Sequence, residues 1–216
     1  TIDEVMGYRL AIFDFDGTLC SGQYFAPLGQ EALHAISGFI FSEKSAEWAD
    51  RWMSGELTQH DIADYLSKPL GLSPEEILSA LHEGCSNMSF HQAVYAFAAE
   101  QREAGRRIAL VTANMDVFTE IVVPAHRLDT VFDVILNTAD HGTLDKSALW
   151  RKAFRVFGSD YAFSTALLIE DNPVMVAQFE SLGGFAYRYE GDSAFAEWIR
   201  ETGFTTMAAN GRSGVA

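Results

Sequence analysis

The sequence predicts an α/β protein: a doubly wound parallel sheet with a small all-helical subdomain inserted after the first strand. Three observations carry this. Residues 10–13 (Leu-Ala-Ile-Phe) form a short, wholly apolar run, as a strand covered on both faces requires. From Phe90 onward strand-like and helix-like segments alternate, the rhythm of βαβ units with helices on both faces of the sheet. Between them, about seventy residues read as helix with no credible strand.

Within the helical stretch, residues 31–41 are amphipathic, and residues 45–53 place Trp48 and Trp52 one turn apart. Thr58 opens a third helix through Ile62, Tyr65 and Leu66, and Gly71 follows it. Ser73-Pro74-Glu75-Glu76 supplies an N-cap, a proline at the first helical position and acids in the first turn of a fourth. Beyond it, residues 93–104 form a helix ending at Gly105, and 107–112 a strand. Residues 117–123 form a helix stopped by Pro124, 131–136 a strand, and 146–157 a helix ending at Gly158. A strand at 166–169, a helix at 174–182 and a last strand at 184–189 complete the pattern, and residues 208–214 read as a frayed tail. The expected division is a core of residues 1–20 and 89–216, with 21–88 as a separate helical unit above the sheet edge, placed to act as a lid.

Composition narrows the partners. The chain of 216 residues can bury one full core and a small insertion. Its formal charge of −15 argues against nucleic acid or an anionic membrane surface. The same charge requires a local cation if the substrate is an anion. No apolar run is long enough to span a bilayer, and no secretory pattern opens the chain. Cys20 and Cys85 are too few for a disulfide framework, so reduced thiols and a cytoplasmic location are expected. His34, His91, His126 and His141 lack chelating spacing, and no zinc site is expected.

The predicted strand ends carry the chemistry. The first runs into Asp14-Phe15-Asp16-Gly17-Thr18, two carboxylates one residue apart before a turn glycine. Burying such a pair is costly unless a cation or protons compensate it. One acid can attack a substrate while the other moves protons; an Asx-rich turn explains the same letters with no chemistry. The strand at 107–112 leads into Thr112-Ala113-Asn114, a hydroxyl and an amide with free backbone N–H groups that suit a phosphate, or an ordinary helix cap. The strand at 166–169 runs into Glu170-Asp171-Asn172-Pro173, a second acid pair, in which capping accounts for Asn172 or Asp171 but not for adjacent acids. Among the four lysines, Lys146 lies between these strands, and Lys152 is its alternative on the same helix.

In this order the motifs resemble the haloacid dehalogenase superfamily, in the branch whose helical cap lies between the first and second motifs on a Rossmann-like core. The resemblance spans essentially the whole chain. It implies that Asp14 is the nucleophile and Asp16 the general acid/base, and that Thr112 and Lys146 bind the transferring phosphoryl group. It also implies that Asp171, with Glu170 as a neighbour, ligates magnesium. Lys146 is followed by Ser-Ala-Leu where many relatives have prolines, and Glu170 stands where an aspartate is common; neither change removes a required charge.

On that basis the expected activity is Mg²⁺-dependent hydrolysis of a small phosphomonoester through an aspartyl-phosphate. The metal would be held by Asp14, the Asp16 backbone carbonyl and Asp171, with Thr112, Ala113, Asn114 and Lys146 around the substrate phosphate. A β-phosphoglucomutase-like phosphomutase shares the intermediate. A phosphonatase would need Lys44 or Lys68 poised over the core, and a non-catalytic binding protein would have little use for the acid set. Trp48, Trp52, His60, Tyr65 and His82 are either lining for the cap or its packing. A monomer or homodimer is expected.

Overall fold

The computed structural model describes residues 7–203. Five parallel strands, β1 (Leu10–Phe13), β2 (Arg107–Thr112), β3 (Val134–Asn137), β4 (Ala166–Glu170) and β5 (Phe185–Arg188), form one sheet in the order β3-β2-β1-β4-β5. The chain builds outward from β1 through β2 to β3, then crosses to the other side for β4 and β5. This is the doubly wound α/β arrangement the sequence predicts. The order reverses between β1 and β4, where open α/β sheets hold their ligands beyond the carboxyl ends of the strands. Both acid pairs of the sequence end at that crevice.

Strand alternation sorts the core into two apolar layers. Ala11 and Phe13, Ile108 and Leu110, and Leu167 and Ile169 face one layer. Leu10 and Ile12, Ala109 and Val111, and Ala166 and Leu168 face the other. All twelve are essentially inaccessible to solvent, which explains why these strands read as continuous apolar runs rather than alternating ones.

The segment between β1 and β2 is helical: α1 (Gln30–Ile36), α2 (Ala46–Met53), α3 (Gln59–Leu70) and α4 (Pro74–Ser86), followed by α5 (Gln92–Glu103). Thr58 and Ser73 each form a capping box, with Asp61 and Glu76 returning the bond, and Gly71 closes α3 at φ 66°. Residues 37–41, expected as the end of the first helix, continue as a π-helical turn. Buried residues of this block (Ile36, Trp52, Ile62, Leu66, Leu81) belong to the same apolar cluster as Phe13 and Phe15. The aromatics expected either to line a cap or to pack do pack: Trp52 is fully buried, and Trp48 stacks on Tyr65 with ring centroids 3.7 Å apart.

After β2 a π-helical turn (Phe118–Val122) leads into α6 (Val123–Ala125). Residues 116–125 form one continuous helical run, so Pro124 lies in its last turn and the helix ends at Ala125, one residue beyond the proline expected to stop it. The remaining helices are α7 (Lys146–Phe157), α8 (Pro173–Ser181) and α9 (Asp192–Thr202). The strand expected over 131–136 begins later, because residues 128–130 take up a short 3₁₀ turn. Helix α9 is not among the expected elements; its Phe195 and Trp198 pack against Phe97 of α5. The expected tail at 208–214 lies outside the described residues. No helix among the described residues is long and apolar enough to cross a membrane.

Candidate functional site

The two-residue period of the strands decides which acids meet. Asp14 continues the side of β1 occupied by Leu10 and Ile12, and Glu170 the side of β4 occupied by Ala166 and Leu168. Helix α7 covers that same face with Leu149, Trp150 and Ala153. Asp145 caps α7 by accepting the Ser147 N–H at 2.8 Å, which sets Lys146 as the first helical residue, its side chain buried at the sheet edge. Lys146 Nζ lies 2.8 Å from Asp14 Oδ1 and 2.6 Å from Glu170 Oε2. Burial disfavours its charge, but Asp14 and Glu170 more than offset this and hold the ammonium above its ordinary pKa. Lys152, the alternative lysine, instead reaches His141, 3.2 Å from Nδ1.

Asp171 falls on the opposite side of the β4 terminus. Its carboxylate packs against Gly17, which adopts φ 81°; a Cβ there would overlap the carboxylate. Gly17 thus serves both the turn after β1 and the seat of Asp171. Thr18 Oγ1 donates to Asp171 Oδ1 at 3.3 Å. Asp14, Glu170 and Asp171 each offer an oxygen within 4.8 Å of the others, a group able to hold a cation. Glu170 is already engaged: Oε2 with Lys146, and Oε1 as acceptor of the Asn172 N–H at 3.1 Å. Burial, with Asp14 adding and Lys146 opposing, pushes its carboxyl up to about 8.

The Asp16 carboxylate stands outside that group. It accepts from the Tyr24 hydroxyl at 2.8 and 3.0 Å and from Asn114 Nδ2 at 2.8 Å. Burial raises its pKa to about 7, Asp14 and Asp171 adding to the rise while Tyr24 and Asn114 oppose it. The adjacent acids of the motif therefore occupy different environments, Asp14 against a lysine and Asp16 in a cage of neutral donors.

Thr112 is buried at the end of β2, as expected, and its carbonyl accepts the Thr138 N–H at 3.1 Å. Asn114 corrects one expectation. Its backbone N–H is not free for a phosphate, because a buried donor needs a partner and Asn137 Oδ1 and Thr138 Oγ1 both accept it at 3.1 Å. Its side chain is committed to Asp16. Sequence reasoning missed Tyr24, which no motif marks, and Asp116. The latter accepts from Trp52 Nε1 at 2.7 Å and the Gln59 N–H at 2.8 Å, tying the helical block to the loop after β2.

A family model for haloacid dehalogenase-like hydrolases matches residues 11–155, two-thirds of the chain and all but the last acid pair of the site. The chain belongs to the haloacid dehalogenase-like hydrolase family. No curated protein matches the sequence. Among solved structures, a predicted family hydrolase from Porphyromonas gingivalis is similar, at 17% identity and TM-score 0.67 over 90% of this chain and 98% of that one. A family enzyme from Bacteroides thetaiotaomicron, in complex with magnesium and inorganic phosphate, aligns at 13% identity and TM-score 0.65 over 86% and 96%. An L-2-haloacid dehalogenase from Xanthobacter autotrophicus with chloropropionic acid covalently bound aligns at 17% identity and TM-score 0.61 over 90% and 83%. At these identities what is shared is the fold; the chemistry of this hydrolase has to come from its own residues.

Proposed function

We propose that this hydrolase is a Mg²⁺-dependent phosphatase that cleaves a small phosphomonoester through an aspartyl-phosphate on Asp14, with residues 21–88 as a cap over the site. The observation that carries the reading is the division of labour between the two acids: Asp14 beside the Lys146 ammonium, Asp16 apart in its own hydrogen-bonded cage.

A carboxylate held beside an ammonium, as Asp14 is beside Lys146, is placed to attack phosphorus. As the Asp14 oxygen–phosphorus bond forms and the ester P–O bond breaks, Asp16 gives its proton to the departing alkoxide. Asp16, now a carboxylate, takes a proton from the incoming water; that water oxygen bonds phosphorus, the Asp14–phosphorus bond breaks, and Asp16 regains its starting state. Lys146 and the strand-end groups at Thr112 and Ala113 neutralise and orient the phosphoryl oxygens. The donor set fits magnesium, because it consists of hard carboxylate oxygens. Asp14, Asp171 and the Asp16 carbonyl would hold the ion, with Glu170 supporting Lys146. Magnesium when bound supplies charge neutralisation between the acids and the phosphate.

The choice over dehalogenation rests on this chain's own residues: a halide leaves without a proton, so a caged second carboxylate has no task there. The test is phosphate release from a panel of phosphate esters with and without Mg²⁺. Metal-dependent release that disappears in Asp14→Asn is expected; release in that folded variant at the parent rate rejects the assignment.

A further inference from the structure

Three side chains from separate parts of the chain close a ring beside Asp14. Asn114 Oδ1 accepts the Met115 N–H at 2.8 Å, which fixes the orientation of the amide. Its Nδ2 then points its two hydrogens at Asp16 Oδ2 and at the Tyr24 oxygen, each 2.8 Å away. A tyrosine hydroxyl has one hydrogen, and two acceptors lie in reach of it: Asp16, at 2.8 and 3.0 Å, and Asn114 Oδ1 at 3.1 Å. The carboxylate is the nearer and the stronger acceptor, and Asn114 Oδ1 already accepts from Met115, so the hydrogen is assigned to Asp16.

The two oxygens of Asp16 are left unequal. Oδ2 faces two donors at 2.8 Å, whereas Oδ1 has only the longer Tyr24 approach of 3.0 Å. An oxygen that accepts two hydrogen bonds is a poor seat for a proton; the other is the one available to carry it. Tyr24 lies on the connector between β1 and the helical block, where Gly84 of α4 presses on its carbonyl so closely that a Cβ would overlap the oxygen. The ring is therefore braced from the helical side as well as from β2.

We propose that Tyr24 is a positioning residue for proton transfer, holding Asp16 so that Oδ2 is a fixed acceptor and Oδ1 presents the mobile proton to the leaving group and then to water. This rests on the phosphatase reading above. Its consequence is selective. Forming the aspartyl-phosphate from an ester with a stable leaving anion needs no proton donor, whereas expelling an alkoxide and activating water both need Asp16 in place.

The test compares wild type and Tyr24→Phe, which removes one oxygen and keeps the ring, in rapid-mixing assays with Mg²⁺ on p-nitrophenyl phosphate and on a simple alkyl phosphate. For Tyr24→Phe on p-nitrophenyl phosphate, we expect an undiminished burst of one p-nitrophenolate per site followed by steady turnover slowed about 10–100-fold. On the alkyl phosphate, the burst should vanish and the first step should slow by a similar factor. Parent rates on both esters, or an equal loss of burst and steady rate on p-nitrophenyl phosphate, overturn the role of Tyr24 while leaving the phosphatase reading intact. A wild type inactive on both esters, and on the wider panel, removes the phosphatase reading and with it the proton transfer that Tyr24 would serve.

Discussion

At the scale of single residues, the site is a problem of buried negative charge solved in two different ways. Asp14 and Glu170 share the Lys146 ammonium; Asp16 relies on neutral donors and a pKa near 7. Because that pKa is raised above the unfolded value of roughly 4, the folded metal-free protein holds a proton the unfolded chain has lost. The stability contributed by Asp16 is thus complete below about pH 4 and is lost as pH rises through about 7. Denaturant midpoints of the metal-free protein should fall between pH 5 and pH 8, and Asp16→Asn should flatten the decline; an unchanged slope contradicts the assignment. Lys146→Ala leaves two buried carboxylates facing each other, and urea unfolding should show a loss of about 3–5 kcal/mol. Asp14, Asp16, Lys146 and the acid pair at 170–171 were legible in the sequence because each stands at the end of an apolar run or the start of a helix. Tyr24 was not, since its meeting with residues 16 and 114 depends on the path of an irregular connector that has no period to read.

At the scale of elements, two glycines mark where backbone approaches leave no room for a side chain. Gly17 joins a left-handed turn to the seat of Asp171, so Gly17→Ala should weaken apparent Mg²⁺ affinity about 10–100-fold in titration calorimetry, mostly by displacing a ligand. Gly84→Ala presses on Tyr24 and should cost about 1–3 kcal/mol of stability in chemical denaturation. The capping boxes at Thr58 and Ser73 and the strand starts at Leu10, Arg107 and Ala166 followed from local chemistry alone. The failures have physical causes. Pro124 is tolerated in the last turn of the run 116–125 because the π-helical turn before it, Phe118–Val122, already departs from the regular bond ladder. Helix α9 does carry a signal, in Phe195, Trp198, Ile199 and Thr202 at helical spacing before Gly203, and its apolar face becomes meaningful only once α5 is present to receive it.

At the scale of the whole molecule, a chain with a net charge of −15 concentrates four carboxylates at the crevice where the strand order reverses, with one lysine between them. A divalent cation should therefore stabilise the fold as well as serve the reaction. At a magnesium concentration near 100 times its dissociation constant the gain is about 2.7 kcal/mol, which for a domain of this size should raise the melting temperature by about 5–10 °C. The doubly wound sheet was legible because strand and helix alternate along the chain; the meeting of helix α2 and Gln59 with Asp116 was not, because that docking joins surfaces far apart in sequence. The central claim is that Asp14 becomes covalently phosphorylated. Acid quenching during turnover of a phosphate ester with Mg²⁺, followed by peptide mass spectrometry, should find one added phosphoryl group on the peptide containing Asp14 and none in Asp14→Asn. An active enzyme that never carries that group on Asp14, even with burst kinetics captured on the rapid-mixing timescale, would contradict the account.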